Sequence, residues 1–155
     1  MAKKYLIAFL ISMVPIVELR GALPIALASG LPTIPAYITC IIGNMIPVPF
    51  IYYFAQGILN WGKDMPLIGK FCSFCIRKGE RAGEKLTAQA GWGLYVALLL
   101  FVGIPLPGTG AWTGTFAASI LKMDFRKSVI AVMGGVLLAG VLIGTLTLLG
   151  IHVLG

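Results

Sequence analysis

Long apolar stretches separated by short charged segments dominate this chain. Residues 21–62, 86–121 and 128–155 contain no Asp, Glu, Lys or Arg. Because about 20 apolar residues are enough for a helix to cross a bilayer, each stretch is long enough to do so. The pattern therefore predicts an all-α integral membrane protein.

Two segments contain the same kind of interruption. Residues 15–31 read PIVELRGALPIALASGL and residues 104–121 read IPLPGTGAWTGTFAASIL. In each, a short apolar limb meets a break rich in proline and glycine, and a second short limb follows. Lipid tolerates non-helical backbone only where protein or a wet cavity satisfies its polar groups. Matching breaks in two halves of a membrane chain therefore predict discontinuous helices around a midplane site.

The limbs beside each break are too short to span. A limb of about 10 to 13 residues covers about 15 to 20 Å, roughly half a bilayer. We expect an inverted repeat in which each half is a re-entrant helical hairpin plus a spanning helix. In the first half, a break over residues 15–24 precedes a return limb over residues 22–29. The single membrane domain, residues 1–155, divides into repeat one (about 1–61), a basic amphipathic segment (about 62–93) and repeat two (about 94–155).

Composition agrees with membrane insertion. The 155 residues are 59% hydrophobic and 11% charged, with a mean hydropathy of +0.98. The net charge of +7 arises from basic residues that flank apolar stretches, where topology and anionic headgroups account for positive charge. No nucleic-acid motif is visible, so we expect membrane lipids and not nucleic acid as a partner.

The basic residues also predict orientation. If both breaks turn back, segments 62–93 and 122–127 lie on one side and hold nine of the twelve Lys and Arg residues. The positive-inside rule then places 62–93 in the cytoplasm and both termini outside the plasma membrane. Within 62–93, apolar residues recur at helical spacing opposite the charges, which predicts an amphipathic helix on the membrane surface. An ordinary solvated loop is the alternative.

The last span, about residues 128–150, carries glycines at close helical spacing, namely Gly134, Gly135, Gly140 and Gly144. Small residues in this arrangement permit close helix contact. The contact lies either within the monomer or across a homodimer.

Glu18 and Arg20 are an ionisable pair inside an apolar stretch. A charge at the centre of a membrane helix costs about 2.5 kcal/mol or more, so such a residue is a functional candidate that faces protein or water. A buried carboxyl group can take up and release protons, and arginine offers a planar fork to phosphate or carboxylate. The structural alternative is a salt bridge, within the pair or between repeats, that stabilises the break.

The second break supplies peptide groups and hydroxyls. Proline removes N–H donors and glycine permits a tight turn, which exposes peptide groups to a cavity. The N–H groups that begin the following limb offer partial positive charge to an anion. The candidate site for a proton or substrate therefore comprises Glu18, Arg20, Gly21, Pro107, Gly108, Thr109, Gly110, Trp112 and Thr113.

Enzyme chemistry has little support in the sequence. There is no nucleophile–base–acid set, no phosphate-binding GxxxxGK[ST] loop and no cluster of metal ligands. Cys72 and Cys75 have CxxC spacing, but zinc would need more ligands, and we interpret them as interfacial packing residues. We expect no enzyme activity, no cofactor and no metal.

Four strings together resemble the small multidrug export protein family: ELRGALP at 18–24, KGERAGEKL at 78–86, IPLPGTGAWTG at 104–114 and the glycine-rich last span. That family looks distantly similar to the DedA (VTT-domain) membrane proteins, which have two opposed re-entrant hairpins. The resemblance implies that Glu18 and Arg20 lie at the first hairpin tip, and Pro107, Gly108 and Thr109 at the second. DedA proteins typically have an arginine beside the second Pro-Gly, whereas this chain has Gly-Thr-Gly.

Three functions are open at this stage. The leading hypothesis is a small transporter that exports or flips an amphipathic substrate, linked to protons through Glu18. The second is a DedA-type flippase for polyprenyl phosphate or phospholipid that uses Arg20 and the hairpin N-termini. The third is a non-transporting membrane scaffold whose basic helix docks on anionic lipid.

Overall fold

The computed structural model describes residues 1–66 and 68–154. All secondary structure in these two ranges is helical. The helices are α1 (Ala2–Met13), α2 (Glu18–Ala28), α3 (Thr33–Met45), α4 (Pro47–Gly62), α5 (Gly69–Ala90), α6 (Trp92–Gly103), α7 (Ala111–Ile120) and α8 (Phe125–Leu154).

Two helical stretches are long and apolar enough to cross a bilayer on their own. Thr33–Gly62 combines α3 and α4 over 30 residues, and Phe125–Gly150 accounts for 26 residues of α8. The pair α5 and α6, bent by 110°, is a third candidate. The chain is therefore an all-helical membrane protein with two or three candidate spanning helices, as its charge-free stretches predicted.

The helix lengths confirm that the limbs beside both breaks are short. Helices α1 and α2 have 12 and 11 residues, and α6 and α7 have 12 and 10. At 1.5 Å per residue these lengths correspond to about 15–18 Å, roughly half of the hydrocarbon core. Each short pair is followed by a long helical stretch, so the order of helix lengths is the same in both halves.

The first break is shorter than the sequence predicted. The expected break covered residues 15–24, whereas only residues 14–17 separate α1 from α2. Pro24 lies inside α2, where its ring removes one helical N–H donor. Leu19 and Leu23 of the same helix are almost completely buried, and this packing outweighs the local cost of the proline.

Helices α2 and α7 end in the same way. After α2, the N–H of Gly30 donates to Leu27 and that of Leu31 to Ala26; after α7, Lys122 donates to Ser119 and Met123 to Ala118. Both closures are Schellman motifs, which satisfy the last carbonyl groups through a residue with positive φ. That residue is Gly30 in α2 (φ 81°) and Lys122 in α7 (φ 51°).

The two halves interlock. Helix α2 packs against α8, and α7 packs against α4, so the second helix of each short pair contacts the long helix of the other half. The buried side chains form one continuous cluster to which α2, α4, α6 and α8 all contribute. The breaks are therefore positioned by contacts between the halves.

Three of the four predicted glycines of α8 make close contacts within the chain, whereas a Cβ atom at Gly144 would lie at an ordinary 3.6 Å from Leu23 Cδ2. A Cβ atom at Gly134 would lie 2.7 Å from Leu99 Cδ1, and one at Gly135 would lie 2.6 Å from Val102 Cβ. A Cβ atom at Gly140 would collide with the ring of Tyr37. The glycine face therefore brings α6 and α3 close to α8, as expected for small residues at a membrane helix interface.

Replacement of Gly135 by leucine tests this packing. We expect Gly135→Leu to lower the free energy of unfolding by about 1–3 kcal/mol, because the added side chain overpacks the contact with α6. Gly150→Leu is the matched control on the same helix, since a Cβ atom there has no heavy atom within 4 Å. Thermal unfolding in detergent measures both, and equal stability of the two variants would contradict the assigned contact.

Candidate functional site

The carboxylate of Glu18 caps the N-terminus of α7. Its Oε1 accepts a hydrogen bond from the Trp112 N–H at 3.0 Å, and its Oε2 accepts one from the Ala111 N–H at 3.2 Å. Glu18 is only 5% exposed, and Ala111 is the first residue of α7. Two of the N–H groups that a helix leaves unpaired at its start thus bind an anion from the first residue of α2.

The guanidinium group of Arg20 binds the other side of the second break. It donates to carbonyl oxygens at the end of α6 and just beyond, and to one hydroxyl. The acceptors are Val102 O (2.9 Å), Ile104 O (3.2 Å), Leu106 O (2.8 Å) and Thr109 Oγ1 (2.9 Å). A cation is favourable here because the end of a helix carries partial negative charge.

Glu18 and Arg20 do not pair with each other. Within residues 1–66 and 68–154, the salt bridge between side chains joins Lys122 and Glu80. Residues two positions apart on a helix point to different sides, so one charge reaches the start of α7 and the other the end of α6. The sequence allowed a salt bridge that involves this pair. In the structure each of the two residues instead caps a different helix end.

The backbone of the first break is strained. Ile16 has φ 80° and Glu18 has φ 50°, a region that residues with a side chain rarely adopt. Each such residue costs about 1–3 kcal/mol and persists only where its surroundings hold it. The two hydrogen bonds of the Glu18 carboxylate provide part of that hold. No feature of the sequence indicated this conformation.

The second break is shaped by two glycines with positive φ, Gly108 (80°) and Gly110 (149°). A Cβ atom at Gly110 would collide with the carboxylate of Glu18, whereas one at Gly108 would have no heavy atom within 4 Å. Gly110 is thus required for the close approach of the two breaks. Between them, Thr109 Oγ1 accepts from Arg20 and lies 2.9 Å from the carbonyl oxygens of Ile104 and Leu106.

The two breaks line one cavity of about 850 Å³. Its walls include seven of the nine predicted site residues: Glu18, Arg20, Pro107, Gly108, Thr109, Trp112 and Thr113. Gly110 contacts the Glu18 carboxylate beside the cavity. Gly21 does not line the cavity; a Cβ atom there would lie 2.5 Å from Val17 Cγ1, so its place in the structure is a packing position.

Most of the apolar residues in the cavity wall were not predicted from the sequence. It comes from α4, α7 and α8 and from the flanks of the breaks: Pro15, Ile16, Ile51, Phe54, Ala55, Ile58, Pro105, Leu106, Phe116 and Ile143. In a membrane chain, an apolar residue that faces a cavity has the same sequence pattern as one that faces lipid. Only the polar residues and the proline–glycine breaks gave a signal.

Trp112 borders a second space. An apolar groove of about 790 Å³ runs along α4, and its wall shares Ile51, Phe54 and Trp112 with the first cavity. The backbone N–H of Trp112 is bound by Glu18. The same hydrogen bond therefore fixes the residue that stands between the cavity and the groove.

Comparison with known proteins gives one family. The sequence profile of the family described as "Putative small multi-drug export protein" matches residues 18–142. This range begins at Glu18, directly after the first break, and contains the whole second break. It confirms the resemblance to that family seen in the sequence. No curated protein and no solved structure gives a significant match. The distant similarity to DedA proteins stays a prediction.

Substitution of the two break glycines tests the contact with Glu18. Gly108→Ala adds only left-handed backbone strain, which costs about 1–2 kcal/mol. We expect Gly110→Ala to lower the free energy of unfolding by about 1–3 kcal/mol more, for two reasons. Its φ of 149° and ψ of −176° are a combination that only glycine adopts readily, and the added Cβ atom displaces the Glu18 carboxylate from the N–H groups it caps. Thermal unfolding in detergent compares the two variants. Equal destabilisation would mean that the close approach at Gly110 does not matter.

Proposed function

We propose a transport function for this chain, which belongs to the small multi-drug export protein family. It moves an amphipathic small molecule out across the membrane, and this movement is coupled to protons through Glu18. The single observation that carries the proposal is the cavity lined by both breaks.

The cavity fits a drug-sized amphipathic molecule. Its volume of about 850 Å³ lies within the range of about 300–1,000 Å³ typical of small-molecule sites. Its wall is largely apolar, with Glu18, Arg20, Thr109 and Thr113 as the polar groups. Such a wall offers an apolar body of a ligand a large contact area and holds its polar end at a few fixed positions.

We further propose that the halves form an inverted repeat of re-entrant hairpins. In this arrangement α1–α2 and α6–α7 enter the bilayer from opposite sides, and their breaks meet near its middle. The short helices, the contact between the breaks and the reciprocal packing of α2 on α8 and α7 on α4 support it. The basic segment 62–93 then lies in the cytoplasm and the termini outside.

Protonation of Glu18 is the proposed coupling step. Hydrogen bonds to a charged acceptor are roughly twice as strong as those between neutral groups. When Glu18 takes up a proton, it therefore holds the N–H groups of Ala111 and Trp112 less firmly. Because α7 also contributes Trp112, Thr113 and Phe116 to the cavity wall, a shift of α7 changes the shape of the cavity.

A lipid-phosphate substrate has less support from the same geometry. The groups that would bind a phosphate are Arg20 and the first N–H groups of α7, and both are already bonded to protein atoms. A phosphate would have to displace the Glu18 carboxylate. The transport experiment below therefore distinguishes the proposed exporter from a flippase and from a non-transporting scaffold.

Proteoliposomes test the proposal directly. Purified protein is reconstituted with an imposed pH gradient, and movement of ethidium, a lipophilic cation, is compared with movement of a fluorescent polyprenyl phosphate. We expect gradient-dependent movement of ethidium above that of empty liposomes. Gradient-independent movement of the lipid phosphate alone would identify a flippase. Movement of neither probe would favour the hypothesis of a non-transporting scaffold.

Substitution of Glu18 tests the coupling. Gln cannot ionise, and it presents one acceptor and one donor to two N–H groups, so Glu18→Gln loses one capping bond. We expect loss of gradient-driven ethidium movement together with about 1–2 kcal/mol of stability. Glu84→Gln makes the same chemical change on the exposed part of α5 and should move ethidium at the parent rate. Ethidium movement at the full gradient-driven rate in Glu18→Gln would show that Glu18 only caps α7 and does not couple transport to protons.

Substitution of Arg20 separates binding from capping. Arg20→Lys keeps the charge but not the planar fork, so it cannot reach all four acceptors. We expect the free energy of unfolding to fall by about 1–3 kcal/mol. The rate of ethidium movement per folded molecule should stay close to that of the parent. Transport rates are normalised to the folded fraction from thermal unfolding. Complete loss of ethidium movement in a folded Arg20→Lys variant would show that Arg20 acts on the substrate itself.

A further inference from the structure

One face of α5 is packed onto the rest of the protein through small residues. Cβ atoms at Gly79 and Gly83 would collide with the carbonyl oxygens of Ile120 and Leu121 at the end of α7. Near the start of the helix, a Cβ atom at Gly62 would lie 2.7 Å from the Sγ atom of the buried Cys72. These contacts fix the rotation of α5 about its own axis.

The opposite face of α5 is exposed and basic. Positions 70, 74, 77, 81 and 85 follow each other at intervals of three and four residues, so they lie on one side of the helix. The exposed residues of this side are Lys70, Phe71, Phe74, Arg77, Lys78, Arg81, Glu84 and Lys85. Glu80, the other acid of α5, is already bound by Lys122. Five cations thus face outward with one exposed carboxylate among them.

Two phenylalanines stand within this basic face. Phe71 is 68% exposed and Phe74 is 53% exposed, and the Lys78 Nζ atom lies 5.8 Å from the centre of the Phe74 ring. A face that only met water would gain nothing from two exposed aromatic rings. A bilayer surface accommodates both features, because rings enter the region between headgroups and acyl chains while cations meet the headgroups.

The ends of α5 lie beside aromatic residues typical of a membrane interface. Trp61, at the end of α4, is 65% exposed, and Trp92, at the start of α6, is 72% exposed. Tryptophan is enriched at the level of the headgroups, and the Lys127 Nζ atom lies 5.0 Å from the Trp92 ring. Since α5 and α6 meet at an angle of 110°, α5 lies close to the membrane plane if α6 runs across it.

We propose that the exposed face of α5 is a binding surface for anionic phospholipid headgroups. Arg77 and Arg81, one helical turn apart, provide planar forks for phosphodiester oxygens, and Lys70 and Lys85 extend the positive charge along the helix. Phe71 and Phe74 anchor the same face in the outer part of the bilayer. Cations near an anionic leaflet attract it additively, so the five together give a marked preference for anionic over zwitterionic lipid.

The test measures which lipids stay at the surface of the reconstituted full-length protein. Spin-labelled phosphatidylglycerol and phosphatidylcholine are compared by electron paramagnetic resonance in phosphatidylcholine membranes. We expect the parent protein to prefer phosphatidylglycerol, and Arg77→Gln with Arg81→Gln to reduce that preference at least twofold. Lys3→Gln with Lys4→Gln removes the same charge outside α5 and should leave the preference unchanged. Each single arginine variant should give part of the loss.

The outcomes separate this proposal from its alternatives. An unchanged preference in the folded double arginine variant, checked by thermal unfolding, would mean that the face is merely solvated. Equal loss in the Lys3 and Lys4 variant would indicate a general charge effect. Excess inorganic phosphate at constant ionic strength should leave the preference for phosphatidylglycerol unchanged. If inorganic phosphate displaced phosphatidylglycerol, the face would be a site for free anions. Replacement of Phe71 and Phe74 by serine should weaken retention of both lipids.

Discussion

The structure depends on how two helix ends are satisfied inside an apolar molecule. Helix α6 ends at Gly103 and α7 begins at Ala111, and each end leaves peptide groups without helical partners. In hydrocarbon an unsatisfied group costs several kcal/mol, so such ends persist only where protein binds them. Glu18 binds the start of α7 and Arg20 binds the end of α6. The second break is therefore stable only when the first half is docked against it.

The same arrangement explains why a cavity and its polar groups occur together. Helices that stop short leave space beside their ends, and the charges that satisfy those ends must border that space. Glu18 and Arg20 are both in its wall, yet each is bonded to the backbone of the other half. A change in the charge of either residue would thus alter the contact between the halves as well as the cavity. The lining of the cavity and the contact between the halves therefore depend on the same hydrogen bonds.

The sequence predicted the helices and the polar residues beside the cavity better than the contacts that these residues make. Charge-free stretches, short limbs and the rare pair Glu18 and Arg20 are all local patterns, and local patterns are visible in one sequence. The partners of that pair are more than 80 residues away, and nothing local specifies them. Pro24 was assigned to a break because its ring disfavours a helix, but the burial of Leu19 and Leu23 prevailed. Apolar cavity residues resemble lipid-facing ones and gave no signal.

Helix α7 shows why capping matters more than helix propensity here. It has 10 residues, so its first four N–H groups and last four C=O groups are a large share, about two-fifths, of its backbone polar groups. Isolated helices of this length are marginal even in water. Its C-terminus is closed by a Schellman motif with Lys122 in a conformation that glycine usually adopts, and its N-terminus is closed by Glu18. The C-terminal closure is local and persists by itself, whereas the N-terminal one depends on a single carboxylate from the other half. Of the two ends, the N-terminus is consequently the one that a change at the site can release.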